Sequence, residues 1–76
     1  MESVVHIGEN LRRLRERRYL TQRELAQKAG VSTDTVAKLE TDRAEPRLRT
    51  IRRLAKALEV HPDALTGFDK DQDLGV

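Results

Sequence analysis

Apolar residues recur along this chain at intervals of three and four and do not alternate one by one, so the pattern predicts helices and no strands. In residues 7–18, Ile7, Leu11 and Leu14 share one face and a run of arginines fills the rest, which predicts a first helix packed through those three side chains. The segment TQRELAQKAGVSTDTVAKLE, residues 21–40, carries the densest local signals. Thr21 and Glu24 have the spacing of a capping box, and Leu20 with Leu25 that of a hydrophobic staple, so a second helix starts at Thr21. Gly30 ends it. The hydroxyl of Ser32 can cap a third helix, Val31 and Val36 repeat the staple spacing, and the helix extends to Glu40. Leu25, Ala26, Ala29, Val36 and Leu39 then face inward, leaving Thr33, Asp34, Ala37 and Lys38 on the outer face of the third helix. Two short capped helices joined by a glycine turn form a helix-turn-helix.

A fourth helix is predicted over residues 47–58, after Pro46, with Leu48, Ile51, Leu54, Ala55 and Leu58 as its core stripe. Pro62 suits the first position of a short fifth helix, Asp63 its positive end, and Ala64 and Leu65 cover the core. The pattern stops after Thr66. The fold class is therefore all-α: a four- to five-helix domain over residues 1–66, then an acidic tail, 67–76, expected to fray.

Length and composition narrow the function. A chain of 76 residues forms a core too small to enclose a deep cavity, and it shows no set of nucleophile, base and orienting group, so an enzyme is not expected. There is no cysteine, which excludes disulfides and thiolate metal sites. His6 and His61 lack companions at ligand spacing; neither a metal nor another cofactor is expected, and His61 fits a helix cap. No apolar run approaches the roughly 18 residues of a membrane span, and the first residues lack the apolar core of a signal peptide. The expectation is a cytosolic protein with no membrane partner.

The net charge of +2 is modest, but its distribution is uneven. Residues 1–60 hold fourteen basic against nine acidic residues, whereas residues 61–76 hold one against four. Eleven of the fifteen basic residues are arginines, whose planar forks suit phosphate recognition. The body is basic and the tail acidic.

Arg15, the LTQRELA segment at 20–26, Gly30-Val31-Ser32, Glu40, Pro46 and the LAKAL run at 54–58 form a linked set. On these residues the chain resembles the lambda-repressor-like family of phage and bacterial regulators, also called the Cro/C1 or XRE helix-turn-helix family. The resemblance covers residues 7–65. It implies a fold whose third helix enters the major groove of double-stranded DNA. It also implies that Thr33, Asp34, Ala37 and Lys38 meet base edges: Lys38 donating to guanine, Asp34 accepting from cytosine, and the methyls of Thr33 and Ala37 touching thymine. Gln22, Ser32, Thr41, Arg43, Arg47 and Arg49 correspond to positions that contact the phosphate backbone. Arg15 and Glu40 correspond to a structural ion pair joining the first helix to the end of the third. Tyr19 and Asp42 depart from the pattern, standing where relatives usually have the glycine that permits left-handed backbone.

The expected function is a sequence-specific DNA-binding transcriptional regulator, a repressor, acting as a homodimer on an operator of twofold symmetry. Leu65, Phe68 and Leu74 are the apolar candidates for contact between copies. The rival reading is a protein-interaction module, such as an antitoxin or regulatory subunit, whose acidic tail engages a protein partner.

Overall fold

Five helices follow the order set by the apolar spacing: α1 (Gly8–Arg17), α2 (Gln22–Ala29), α3 (Thr33–Glu40), α4 (Leu48–Leu58) and α5 (Pro62–Thr66). The structure is a computed structural model and describes residues 7–67; His6, Phe68, Leu74 and all of the predicted tail beyond Gly67 lie outside the described residues. Among the described residues there is no strand, and no helix is long and apolar enough to cross a membrane.

Each helix start and stop has a local cause. Thr21 and Glu24 close the capping box: the Glu24 N–H donates to Thr21 Oγ1 at 3.0 Å, and the Thr21 N–H donates to Glu24 Oε1 at 2.8 Å. Gly30 stops α2 with φ 75°, in the left-handed region where a side chain is unfavourable. Ser32 Oγ accepts from the Thr35 N–H at 3.0 Å and starts α3. His61 caps α5, its Nδ1 accepting from the Asp63 N–H at 3.2 Å.

α2 packs on α3 and α4, α4 on α5, and α1 on α3 and α5. Their inward stripes meet in one core of twelve buried apolar residues, of which Leu11, Leu25, Val36, Leu54, Leu58 and Leu65 are fully enclosed. Each such side chain contributes about 1.5–3 kcal/mol of burial, and the core holds α3 against α1 and α2.

Three details differ from the sequence expectation. Ile7 is buried but caps α1 instead of belonging to it, and α4 begins at Leu48, with Arg47 extended before it. Leu48 is 62% exposed, not core: the α4 stripe reaches the edge of the core at Ile51, and Leu48 lies one turn beyond it. Leu65 is fully buried, as its expected place over the core requires, and it is therefore no surface for a second copy.

The turns keep the left-handed backbone without its usual residue. Tyr19, Asp42 and Glu59 have φ of 58°, 57° and 60°. Asp42 is compensated, because its Oδ1 accepts the Gly8 N–H at 3.1 Å. That bond brings the start of α1 against the end of α3. A Cβ at Gly8 would lie 2.6 Å from the Glu40 carbonyl oxygen and 2.8 Å from that of Leu39, so only glycine fits this approach.

Candidate nucleic-acid interface

The outer side of α3 is small and polar by construction, since Val36 and Leu39 are committed to the core. Thr33, Asp34 and Lys38 are exposed and Ala37 is half-buried. Lys38 Nζ lies 3.1 Å from Asp34 Oδ2, an i,i+4 ion pair on the open helix surface. Beside this face an open groove of about 630 Å³ separates α3 from the start of α4, with Lys38 and Arg47 on opposite banks and Asp34 and Glu45 among its lining.

Basic residues flank the groove. Arg43, Arg47 and Arg49 are exposed, and none forms an ion pair among the described residues. The Arg43 N–H donates to the Lys38 carbonyl at 2.8 Å, so the left-handed turn at Asp42 fixes where the Arg43 side chain leaves α3. At the two ends of α3 the hydroxyls are already engaged. Ser32 Oγ caps the helix and shares a 2.8 Å hydrogen bond with Thr35 Oγ1, while Thr41 Oγ1 donates back to the Ala37 and Lys38 carbonyls at 3.1 and 3.2 Å.

Behind α3 lies a charged support. Arg15 Nε and Nη2 donate to Glu40 Oε2 and Oε1 at 2.6 and 3.1 Å, and Arg15 Nη1 donates to the Leu20 carbonyl at 2.8 Å. The side chains are 13% and 3% exposed. Hydrogen bonding to Glu40 holds the Arg15 guanidinium above its ordinary value, with burial opposing. Gln22 joins this cluster, its Nε2 donating to Glu40 Oε1 at 3.0 Å. The amide nitrogen assigned from the resemblance to a phosphate is thus directed at Glu40, and Gln22 ties α2 to the end of α3.

Three contacts that support this face leave no mark in the local sequence. The Gln22 bond to Glu40, the Arg53 Nη1 bond to the Gly30 carbonyl at 3.1 Å and the Gly8 approach all join residues distant along the chain. No helical periodicity marks such pairs.

Comparison with known proteins adds a family. A family model described as "Helix-turn-helix domain" matches residues 6–66. The immunity repressor protein of Bacillus phage phi105 is 38% identical over 61 residues, which are 80% of this chain and 42% of that protein; the chain thus spans less than half of that relative's length. Among solved structures, the restriction-modification controller protein C.AhdI from Aeromonas hydrophila superposes with a TM-score of 0.77 at 34% identity, covering 80% of this chain and 92% of that one. The P22 c2 repressor protein, solved in complex with synthetic operator 9T, gives a TM-score of 0.73 at 32% identity, covering 78% and 89% of the two chains.

Proposed function

Because the chain belongs to the helix-turn-helix domain family that it matches over residues 6–66, we propose that it binds double-stranded DNA sequence-specifically and acts as a transcriptional repressor. The observation that carries the reading is the pairing of surfaces around α3: a small polar face of Thr33, Asp34, Ala37 and Lys38 beside exposed Arg43, Arg47 and Arg49. Small side chains let the helix approach base edges closely, and arginines alongside supply the sequence-independent attraction to phosphate. The likeness to the operator-bound P22 c2 repressor supports α3 as the element in the major groove.

On this reading the six phosphate positions divide. Arg43, Arg47 and Arg49 offer guanidinium groups to the backbone. Gln22 and Ser32 contribute mainly through the amides exposed at the starts of α2 and α3, because their side chains already serve Glu40 and the α3 cap, whereas Thr41, at the carbonyl end of α3, reaches phosphate only by releasing its hydroxyl from the last turn of α3. DNA as the target implies action in the cytoplasm, on the nucleoid. No catalytic step is part of the proposal.

Selection of bound sequences from random duplex DNA, followed by a footprint of the selected site, tests it. A defined sequence protected from cleavage is expected. Binding without enrichment of any sequence would overturn the specific reading and leave only an electrostatic one.

A further inference from the structure

The end of α3 and the start of α1 share one residue. α3 closes with a pair of bonds, the Asp42 N–H donating to the Leu39 carbonyl at 3.1 Å and the Arg43 N–H to the Lys38 carbonyl at 2.8 Å, around the left-handed backbone of Asp42 at φ 57°. This is the helix stop that glycine usually makes, built here on an aspartate. The start of α1 has a complementary defect. Its cap position holds Ile7, whose side chain is buried in the core and offers no hydrogen bond, so the N–H of the buried Gly8 would be left without a partner. Asp42 Oδ1 accepts that N–H at 3.1 Å, from 34 residues along the chain. The fit is close: a Cβ at Gly8 would lie 2.9 Å from Asp42 Oδ1, besides its clashes with the Leu39 and Glu40 carbonyls.

The same bond eases a conflict of charge. Asp42 stands between Thr41 and Arg43, two positions that the resemblance assigns to phosphate, and a carboxylate turned outward there would repel DNA. At the first turn of α1 its charge meets the positive end of the helix dipole, near Glu9, the acid that α1 itself carries in that turn. The loop that follows has few other ties. Residues 44–46 make no hydrogen bond among the described residues, and Ala44 is the side chain that packs them on the core. The polar anchors of the α3–α4 loop are therefore the closing pair of α3 and the Asp42 side chain.

We propose that Asp42 is a positioning residue for DNA binding: by capping α1 from across the fold it holds the turn after α3 in place, and with it the point from which Arg43 reaches a phosphate. The role rests on the DNA-binding function proposed above. It also gives the aspartate a purpose that the turn alone does not require, since glycine would make the turn with less strain.

Two substitutions separate the parts. Asp42→Gly keeps the left-handed turn and loses the acceptor, whereas Asp42→Asn tolerates the turn and keeps an oxygen for the Gly8 N–H; both remove the same charge, so their difference reports the hydrogen bond. On random duplex DNA across a salt series, Asp42→Gly should give a slope smaller than that of Asp42→Asn by roughly one unit, as for the loss of one phosphate contact, and the difference should vanish when Arg43→Ala is added to both. Equal slopes would overturn the positioning role, and so would a difference that survives Arg43→Ala. Amide hydrogen exchange of the free chain gives a readout independent of DNA. The Gly8 and Arg43 amides should both exchange faster in Asp42→Gly than in Asp42→Asn, and acceleration at Gly8 alone would overturn the link to Arg43. Failure of the unsubstituted chain to bind any duplex, with both amides accelerated as expected, would instead overturn the DNA-binding function and leave the coupling between Asp42 and the turn standing.

Discussion

Lys38 and Asp34 show how a residue can be both paired and available. Their ion pair lies on an open helix surface, with side chains 54% and 71% exposed, and such a pair is worth no more than about 0.5 kcal/mol. A base edge can displace it at little cost. Lys38→Ala should therefore relax preference at one base position and weaken the selected site by about 1–3 kcal/mol, while Arg49→Ala should weaken selected and random DNA alike and reduce the salt slope by roughly one unit. Binding titrations on both duplexes at several salt concentrations separate the two, and an unchanged selected sequence for Lys38→Ala would remove it from base reading. A second residue-scale test uses the left-handed turns. Tyr19 is 92% exposed, so Tyr19→Gly sheds strain without losing packing and should raise stability by roughly 0.5–1 kcal/mol in denaturant unfolding. Asp42→Gly should show no such gain, because it also deletes the acceptor of the Gly8 N–H, worth about 1 kcal/mol. Equal gains at the two positions would mean that the Asp42 bond contributes nothing.

At the scale of elements, the pose of α3 rests on one cluster. Glu40, at the last position of α3, receives Arg15 from α1 and Gln22 from α2, so three helices meet on a single carboxylate. Removing one charge strands the other where water is scarce, at a cost approaching 3–5 kcal/mol for a fully buried pair, roughly. Arg15→Ala and Glu40→Ala should each lower the thermal midpoint, and the double variant should lose less than the sum; strict additivity would sink the coupling. The sequence made much of this level legible. Capping residues and staples sit within five positions of each other, so the boundaries of α2 and α3 could be read directly from residues 20–40. Leu48 falls outside the core although it lies on the apolar stripe, because periodicity states which face a residue lies on, not how far along the helix the core extends. Gln22 is legible in the sequence only in part and Gly8 not at all, since their roles depend on what α3 brings to them from more than fifteen residues away. The left-handed turns at Tyr19 and Asp42 illustrate the same limit from the other side: the resemblance marked the positions, and the residues there adopt the glycine-like backbone all the same.

For the whole molecule, the limiting quantity is the length of DNA that one copy can read. α3 has eight residues, a rise of about 12 Å, which spans only three or four base pairs at roughly 3.4 Å each. With only four side chains on its outer face, one copy gains a few base contacts at about 1–3 kcal/mol apiece, too little to single out a site among many competitors. Two copies on successive major grooves double that discrimination, so the proposal carries a stoichiometry: one homodimer per operator, with half-sites about 34–36 Å apart between centres. Leu65 is unavailable for the contact between copies, being fully buried. Joint binding must then come from surface other than Leu65, or from the DNA itself holding two copies side by side. Sedimentation of the full chain with a selected operator should give two chains per duplex at saturation, and a duplex carrying a single half-site should bind one chain with markedly lower affinity. A saturated complex with one chain on the full operator would exclude the dimer, while leaving the base-reading role of Lys38 to be judged by its own titration.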